Sequence, residues 1–271
     1  MNNDLPTAKP TVKTIRTKSG RAVTLKYLSA PQSSRKSESV EITNEIAREH
    51  ATESAVEGFT VVGGEGTRLK AVMPENLYTS DARPLNISTI LRPVVLAKKM
   101  TALPAMASVA AARAIESISD LKINVLWSND LCCKNKLIAT VRADMSILGD
   151  NFVDYIVLGI SFNIKPDQFT PRLSDIVAAV FNNQSHDAAE RLTEAFLNEF
   201  FTLYENYNDR SFMKEYKARC PLIGRQVKVP RPKGRTISAR VCDIDNDACL
   251  IVETKSGERI PIYSRAGVIF K

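Results

Sequence analysis

The sequence predicts an α+β protein: a mixed β-sheet domain of the α/β type flanked by helices, followed by a small β-barrel. Three observations carry that expectation. Up to about residue 217, apolar runs of strand length are interspersed with runs of helical periodicity. Tyr155 to Ile164 is an apolar run without polar alternation, as suits a strand buried on both faces. After Cys220-Pro221 the texture changes to short β-type runs separated by turn signals.

Taken in order, residues 1–38 are rich in Lys, Arg, Ser, Thr and Pro and read as a basic, largely extended arm with one short strand around Val23 to Leu28. Val40 to Ala51 is helical, with Thr43 or Asn44 as its cap. Gly58 ends that helix, and Phe59 to Val62 suits a buried strand. Gly63, Gly64 and Gly66 open a loop to about Leu85, and Asn86 to Leu91 is a strand stopped by Arg92-Pro93. Met100 to Ser117 is the clearest helix, its small residues suited to close packing. Val125–Trp127 and Leu137–Asp144 read as a strand pair joined around Asn135, and Asp187 to Glu205 as an amphipathic helix rich in Leu and Phe. Four β-type runs follow, at 226–229, 236–243, 249–253 and 259–263, with Asp245-Asn246-Asp247 and Ser256-Gly257 as turns. The expected divisions are 1–38, 39–217 and 218–271, the last an SH3-like barrel.

Composition narrows the function class. A 44% apolar content fills a core, and 25% charged residues is ordinary for a soluble protein. The net charge of +7 favours phosphates or an acidic partner. The basic residues are spread along the chain, and no winged-helix pattern is visible, which argues against nucleic acid as a partner. Five cysteines without metal spacing and two histidines away from them argue against zinc and for reduced thiols in a cytoplasm. Met1 to Lys18 holds no apolar run of the secretory type, and no stretch approaches the ~20 apolar residues of a membrane span.

Standard catalytic motifs are absent: no Walker loop, no G-x-S-x-G elbow, no metal-binding His pair and no dinucleotide fingerprint. Gly63-Gly64-Glu65-Gly66 is by itself a turn. Trp127-Ser128-Asn129-Asp130 is by itself a structural corner, since Asn and Asp satisfy turn backbones. Its surroundings add information. A small-residue helix precedes it, Lys136-Leu137-Ile138-Ala139 follows it, and an apolar strand then carries Gly159-Ile160-Ser161-Phe162-Asn163.

In that order these segments resemble the biotin–protein ligases, whose motifs are K-W-P-N-D, K-L-A-G and G-I-G-I-N. Ile42-Thr43-Asn44 is similar to the family's S-T-N, Glu65-Gly66-Thr67 to its E-Q-T, and Leu91-Arg92-Pro93 to its L-R-P. Arg219 to Arg225 is similar to the lead into its carboxy-terminal barrel, so the likeness runs from about Glu41 onward. The resemblance implies a mixed-sheet catalytic domain of the biotin/lipoate ligase type. It implies ATP-dependent attachment of biotin to a lysine of a biotin carboxyl carrier protein domain, through a biotinyl-adenylate, with ATP, biotin and Mg²⁺. It also allows a homodimer through the central sheet.

The same likeness assigns site residues. Lys136 and Asp130 would be catalytic; Asn129, Asp130, Asn163 and Lys70 would face ATP, with Asp130 toward Mg²⁺. Thr43, Asn44, Gly66, Trp127, Lys136 and Ala139 would line the biotin site. A fixed ammonium at Lys136 suits a transition state that gathers negative charge on phosphorus and carboxylate.

The pattern departs from the family at its arginine-glycine loop, G-R-G-R-x-G-R. Here the segment reads Arg68-Leu69-Lys70-Ala71-Val72-Met73-Pro74-Glu75, with only Arg68 and Lys70 basic and the glycines gone. Each lost arginine contact to phosphate removes a charge-assisted hydrogen bond of about 1.5–3 kcal/mol. Two further readings therefore stand beside the ligase: a non-catalytic ligase-fold binding module or sensor, and a ligase for another carboxylic acid such as lipoate.

Overall fold

The structure is a computed structural model, and it describes residues 11–28, 40–63, 84–165, 174–181, 187–230, 236–266 and 268–270. Its centre is an eight-stranded sheet. The strands are β1 (Thr11–Arg16), β2 (Ala22–Leu28), β3 (Thr60–Gly63), β4 (Leu85–Leu91), β5 (Asn124–Leu126), β6 (Asp130–Cys133), β7 (Lys136–Ile147) and β8 (Val153–Phe162). Their spatial order is β1-β2-β3-β4-β8-β7-β6-β5. The sheet is mixed, because β2 and β3 pair in parallel while the other neighbours are antiparallel.

Helices cover both faces. α1 (Val40–Thr52) connects β2 to β3, as a parallel pair requires. Its Ala47 and Ala51 pack on Val61, Ile90, Tyr155 and Val157. The alternate residues of the same strands, Ile87, Leu91, Ile156 and Leu158, join the opposite core with α2 (Leu103–Ile118) and α3 (Ala188–Tyr204). That period-2 split of β4 and β8 between two helix layers is why the strand runs read as continuously apolar. α3 is held by Phe196, Phe200 and Phe201, each fully or almost fully buried. Burial of one such side chain contributes about 1.5–3 kcal/mol. A short helix α4 (Phe212–Ala218) leads to the second sheet. No helix among the described residues is long and apolar enough to cross a membrane.

The second sheet contains β9 (Gln226–Pro230), β10 (Thr236–Ile244), β11 (Leu250–Thr254), β12 (Arg259–Ile262) and β13 (Ile269–Phe270), in the order β12-β11-β10-β9-β13. It is antiparallel and small, as the turn spacing predicts, but it is open rather than a closed barrel. Among the described residues its edge strands β12 and β13 do not pair, and β13 has only 2 residues with which to close a ladder.

Three local expectations change. Residues 11–28, expected to be extended with a single strand, form the β1–β2 hairpin at the edge of the main sheet. Val23 and Leu25 are fully buried there, and Thr24 and Lys26, which alternate with them, are half-buried on the other face. Lys13 Nζ ties the hairpin to α3, 2.5 Å from Glu190 and 3.1 Å from Glu194. The helix begins at Val40, so Thr43 and Asn44 lie inside α1 rather than capping it. Finally, the expected pair of strands around Asn135 is a three-stranded meander, because β6 intervenes and pairs with both β5 and β7. The β6–β7 turn has Lys134 and Asn135 at φ 49° and 65°, the mirror-type geometry that matches hairpin twist.

α1 sits unusually close to β8. A Cβ at Gly159 would lie 2.4 Å from Asn44 Oδ1 and 2.8 Å from Asn44 Nδ2. Gly159→Ala is expected to destabilise the protein by about 1–3 kcal/mol through overpacking, measured by urea unfolding. A variant as stable as the parent would show that α1 can lift away freely.

Arg219, between α4 and β9, joins three segments. Its guanidinium donates to Glu116 of α2 at 2.8 and 2.9 Å, to Glu215 at 2.8 Å and to the Ile123 carbonyl at 2.9 Å. The Arg219 hydrogen bond holds the Glu116 carboxyl below its ordinary 4.5. A carboxyl lowered on folding stabilises above its unfolded value, and that stabilisation is lost as pH falls through the folded value. Thermal stability should therefore drop as pH falls below 4.5. Arg219→Met should cost about 2 kcal/mol at pH 7 by leaving Glu116 half-buried and unpaired, and should flatten the acid limb of a plot of Tm against pH.

Candidate functional site

On the α1 face, the first turn of that helix meets polar rather than apolar strand residues. Ser88 Oγ on β4 lies 2.7 Å from Thr43 Oγ1 and 2.6 Å from Asn44 Oδ1, and all three residues are buried. Ser88 pairs across the ladder with Gly159, the glycine under Asn44. One step farther along β4, a second polar row crosses the sheet. Asn86 of β4 stands opposite Ser161 of β8, Ser161 opposite Thr140 of β7, and Thr140 opposite Asp130 of β6. Side chains directly opposite in a ladder share a face, so Asn86, Ser161, Thr140 and Asp130 form one line over four strands. Asn86 is fully buried, and neither its Oδ1 nor its Nδ2 has a hydrogen-bond partner among the described residues. Burying such groups costs about 1–3 kcal/mol each when unmet, so an apolar sheet does not carry this line for stability.

At the far end of the line, Asp130 opens β6 and accepts a 2.7 Å charge-assisted hydrogen bond from Arg265 Nη1, which follows β12. Burial pushes the Asp130 carboxyl above the usual carboxylate range, against the pull of the Arg265 and Arg142 guanidiniums. Next to it, Asn129 takes φ 71°, a left-handed conformation that Asn tolerates better than most residues. Its Oδ1 is 3.4 Å from the hydroxyl of buried Tyr216 on α4. Trp127 is 2% exposed, and its indole N–H donates to the Ala248 carbonyl at 2.8 Å. The Trp127-to-Asp130 turn is thereby fastened to the second sheet at both ends.

The remaining expected residues divide into three groups. Lys136 opens β7 and donates to the Ser174 carbonyl at 2.6 Å. Asn163 is buried beside that strand end, its amide 3.3 Å from the Leu137 carbonyl, its N–H on Ile138 and its carbonyl taking Val180 N–H. Lys136 and Asn163 thus frame the start of β7, while Thr43 and Asn44 sit under α1. Ala139 pairs with Phe162 and lies in the apolar core, on the opposite face from Thr140. Gly66 and Lys70 lie outside the described residues. Among the described residues no cluster of three or more His, Cys, Asp or Glu forms a metal centre, so Asp130 is a single carboxylate donor.

Sequence reasoning missed Asn86, Ser88, Ser161 and Arg265. A signal existed for the first two, since Asn86 and Ser88 occupy alternate positions of an otherwise largely apolar strand. Nothing in the sequence pairs Arg265 with a residue 135 positions away.

Three kinds of likeness agree with this arrangement. Residues 222–269 match the biotin protein ligase C terminal domain. The bifunctional ligase/repressor BirA of Bacillus subtilis is 26% identical over 231 residues, which cover 82% of this chain and 69% of the relative. BirA of Bacillus spizizenii is 25% identical over the same shares. The fold is similar to that of the apo biotin protein ligase of Aquifex aeolicus, with a TM-score of 0.66 at 16% identity over 91% of this chain and 98% of that one. It is also similar to a biotin protein ligase-like protein of unknown function from Silicibacter, with a TM-score of 0.64 at 15% identity over 92% and 96%. Residues 222–269 thus match the carboxy-terminal domain of biotin protein ligases, most of the chain is similar in sequence to the ligase/repressors, and the fold is that of the biotin protein ligases.

Proposed function

We propose that the protein attaches biotin to a lysine of a biotin carboxyl carrier protein domain at the expense of ATP. The observation that carries this reading is the polar line from Asn86 to Asp130 beside the Thr43–Asn44–Ser88 cluster. Three strand spacings, about 14 Å, separate its ends, enough for an extended acid whose head group and carboxylate are recognised by different residues.

On this reading Thr43 and Asn44 belong to the biotin end, with Gly66, Trp127 and Ala139 contributing by backbone or packing. Asn129, Asp130, Asn163 and Lys70 belong to the ATP end. The carboxylate oxygen of biotin attacks the α-phosphorus and pyrophosphate leaves. The amine of the carrier lysine then attacks the acyl carbon of the biotinyl-adenylate, and AMP leaves with the bonding electron pair. Lys136 supplies a fixed positive charge to the first step. Mg²⁺ neutralises phosphate charge when bound; Asp130 suits it, as an ion that takes one or two protein carboxylates and the rest of its shell from phosphate and water. Arg265 holds that carboxylate in position from the second sheet. We divide the chain accordingly into an edge segment, a catalytic unit over 39–217 and a carboxy-terminal unit over 218–271. Five unpaired cysteines fit a reducing cytoplasm.

ATP–pyrophosphate exchange tests the reading. Biotin should stimulate exchange, and Lys136→Ala should reduce it by about 10²–10³-fold with little change in Tm, as for loss of one preorganised charge. Exchange driven by lipoate and not by biotin would shift the substrate to that acid. Biotin binding with neither exchange nor carrier labelling would make the protein a binding module.

A further inference from the structure

Side chains along β7 divide between the two faces of the sheet. Ala139 and Val141 enter the core with α2 and α3, so Thr140, Arg142 and Asp144 stand on the face of α1 and the polar line. Arg142 pairs with Gly159 of β8, which pairs with Ser88 of β4. It therefore belongs to the row under Asn44, one step along β7 from Thr140. α1 packs over β3, β4 and β8 and leaves Arg142 exposed. On one side Gly159 offers no side chain. On the other, the ladder with β6 begins at Asp130 and Thr140, one step short of Arg142. Neighbouring carboxylates are engaged elsewhere: Asp144 accepts from Arg48 Nη2 at 3.3 Å, and Asp130 from Arg265 Nη1 at 2.7 Å. Among the described residues the Arg142 guanidinium makes no hydrogen bond and no ion pair.

What this cation can hold follows from its surroundings. Because Thr140 stands opposite Asp130, Asp130 is the diagonal neighbour of Arg142, at the spacing of about 7–8 Å that long side chains span. Burial raises the Asp130 carboxyl, and the charges of Arg265 and Arg142 pull it down, which places Arg142 within electrostatic reach of that corner. Two cations thus stand against one carboxylate, and the local excess is positive. A guanidinium presents its N–H donors in a fixed planar fork that matches phosphate oxygens two at a time. We infer that Arg142 grips the phosphate chain of the nucleotide from the open face of β7. The inference rests on the proposed function, since it takes the Asp130 end of the line as the nucleotide end, and it adds the residue that holds the phosphates there.

Calorimetric titration of the full chain with α,β-methylene-ATP, in the presence of Mg²⁺ and saturating biotin, tests it beside titrations with adenosine and with biotin alone. In Arg142→Gln, affinity for the analogue should fall about 10- to 100-fold, as when a charge-assisted pair of hydrogen bonds is lost. Adenosine and biotin should bind within about twofold of the parent. Arg142→Lys keeps the charge without the fork and should recover only part of the loss. Because Arg142 is exposed and unpaired, Tm should stay level in both variants, which separates lost binding from lost folding. Analogue affinity within about twofold of the parent, equal loss of analogue and adenosine, loss of biotin alone, or no analogue binding by the parent overturns the assignment. The ligase reading fails separately. Analogue binding that depends on Arg142, without biotin-driven pyrophosphate exchange, keeps Arg142 on the phosphates and removes the chemistry. Exchange in the parent with unchanged analogue affinity in Arg142→Gln does the reverse.

Discussion

The close seat of α1 on β8 at Gly159 is the constraint from which the site follows. Because Gly159 has no side chain, Asn44 reaches the sheet and shares the Ser88 hydroxyl with Thr43. That network fixes where the first turn of α1 stands. Below it, alanines 47 and 51 continue the helix over an apolar surface of Val61, Ile90, Tyr155 and Val157. Above it, the same strands turn polar. The transition from a packed helix face to polar groups occurs within one step along β4, between Ile90 and Ser88.

The opposite face has no such transition. α2 and α3 lie over Ile87, Leu91, Ile156, Leu158, Ile160 and Phe162, and the aromatic cluster of Phe162, Phe196, Phe200 and Phe201 is continuous there. The sheet thus has one continuously apolar face and one face divided between apolar and polar residues. The layer packed behind it holds the polar line on stiff strands rather than on loops.

Much of this was legible in the sequence because it depends on local pattern. The helices over α2 and α3 follow from apolar spacing, and β8 from its uninterrupted apolar run. Gly159 and the Asn129-Asp130 turn, singled out as parts of sequence motifs, lie on β8 and at the start of β6. What was lost depends on pairing between distant segments. The β1–β2 hairpin was hidden by its lysines and threonines, which are exposed on the edge strand β1 and half-buried on β2. Thr43 and Asn44 resembled caps because a helix start and a buried polar pair use the same residue types. Asn86 was read as a strand residue, since its lack of a partner exists only after β3, β4 and β8 are assembled. The open edge of the second sheet is likewise a property of pairing rather than composition.

The bond between Asp130 and Arg265 also has a temporal meaning. Synthesis runs from amino to carboxyl end, and Arg265 follows Asp130 by 135 residues. The Trp127 indole waits as long, since Ala248 lies 121 residues downstream. A nascent chain that has already made the main sheet therefore still has its Asp130 carboxyl without the paired guanidinium and its Trp127 N–H without an acceptor. The corner is complete only when the second sheet docks, so its two ties are made by segments synthesised more than a hundred residues after Trp127 and Asp130 themselves.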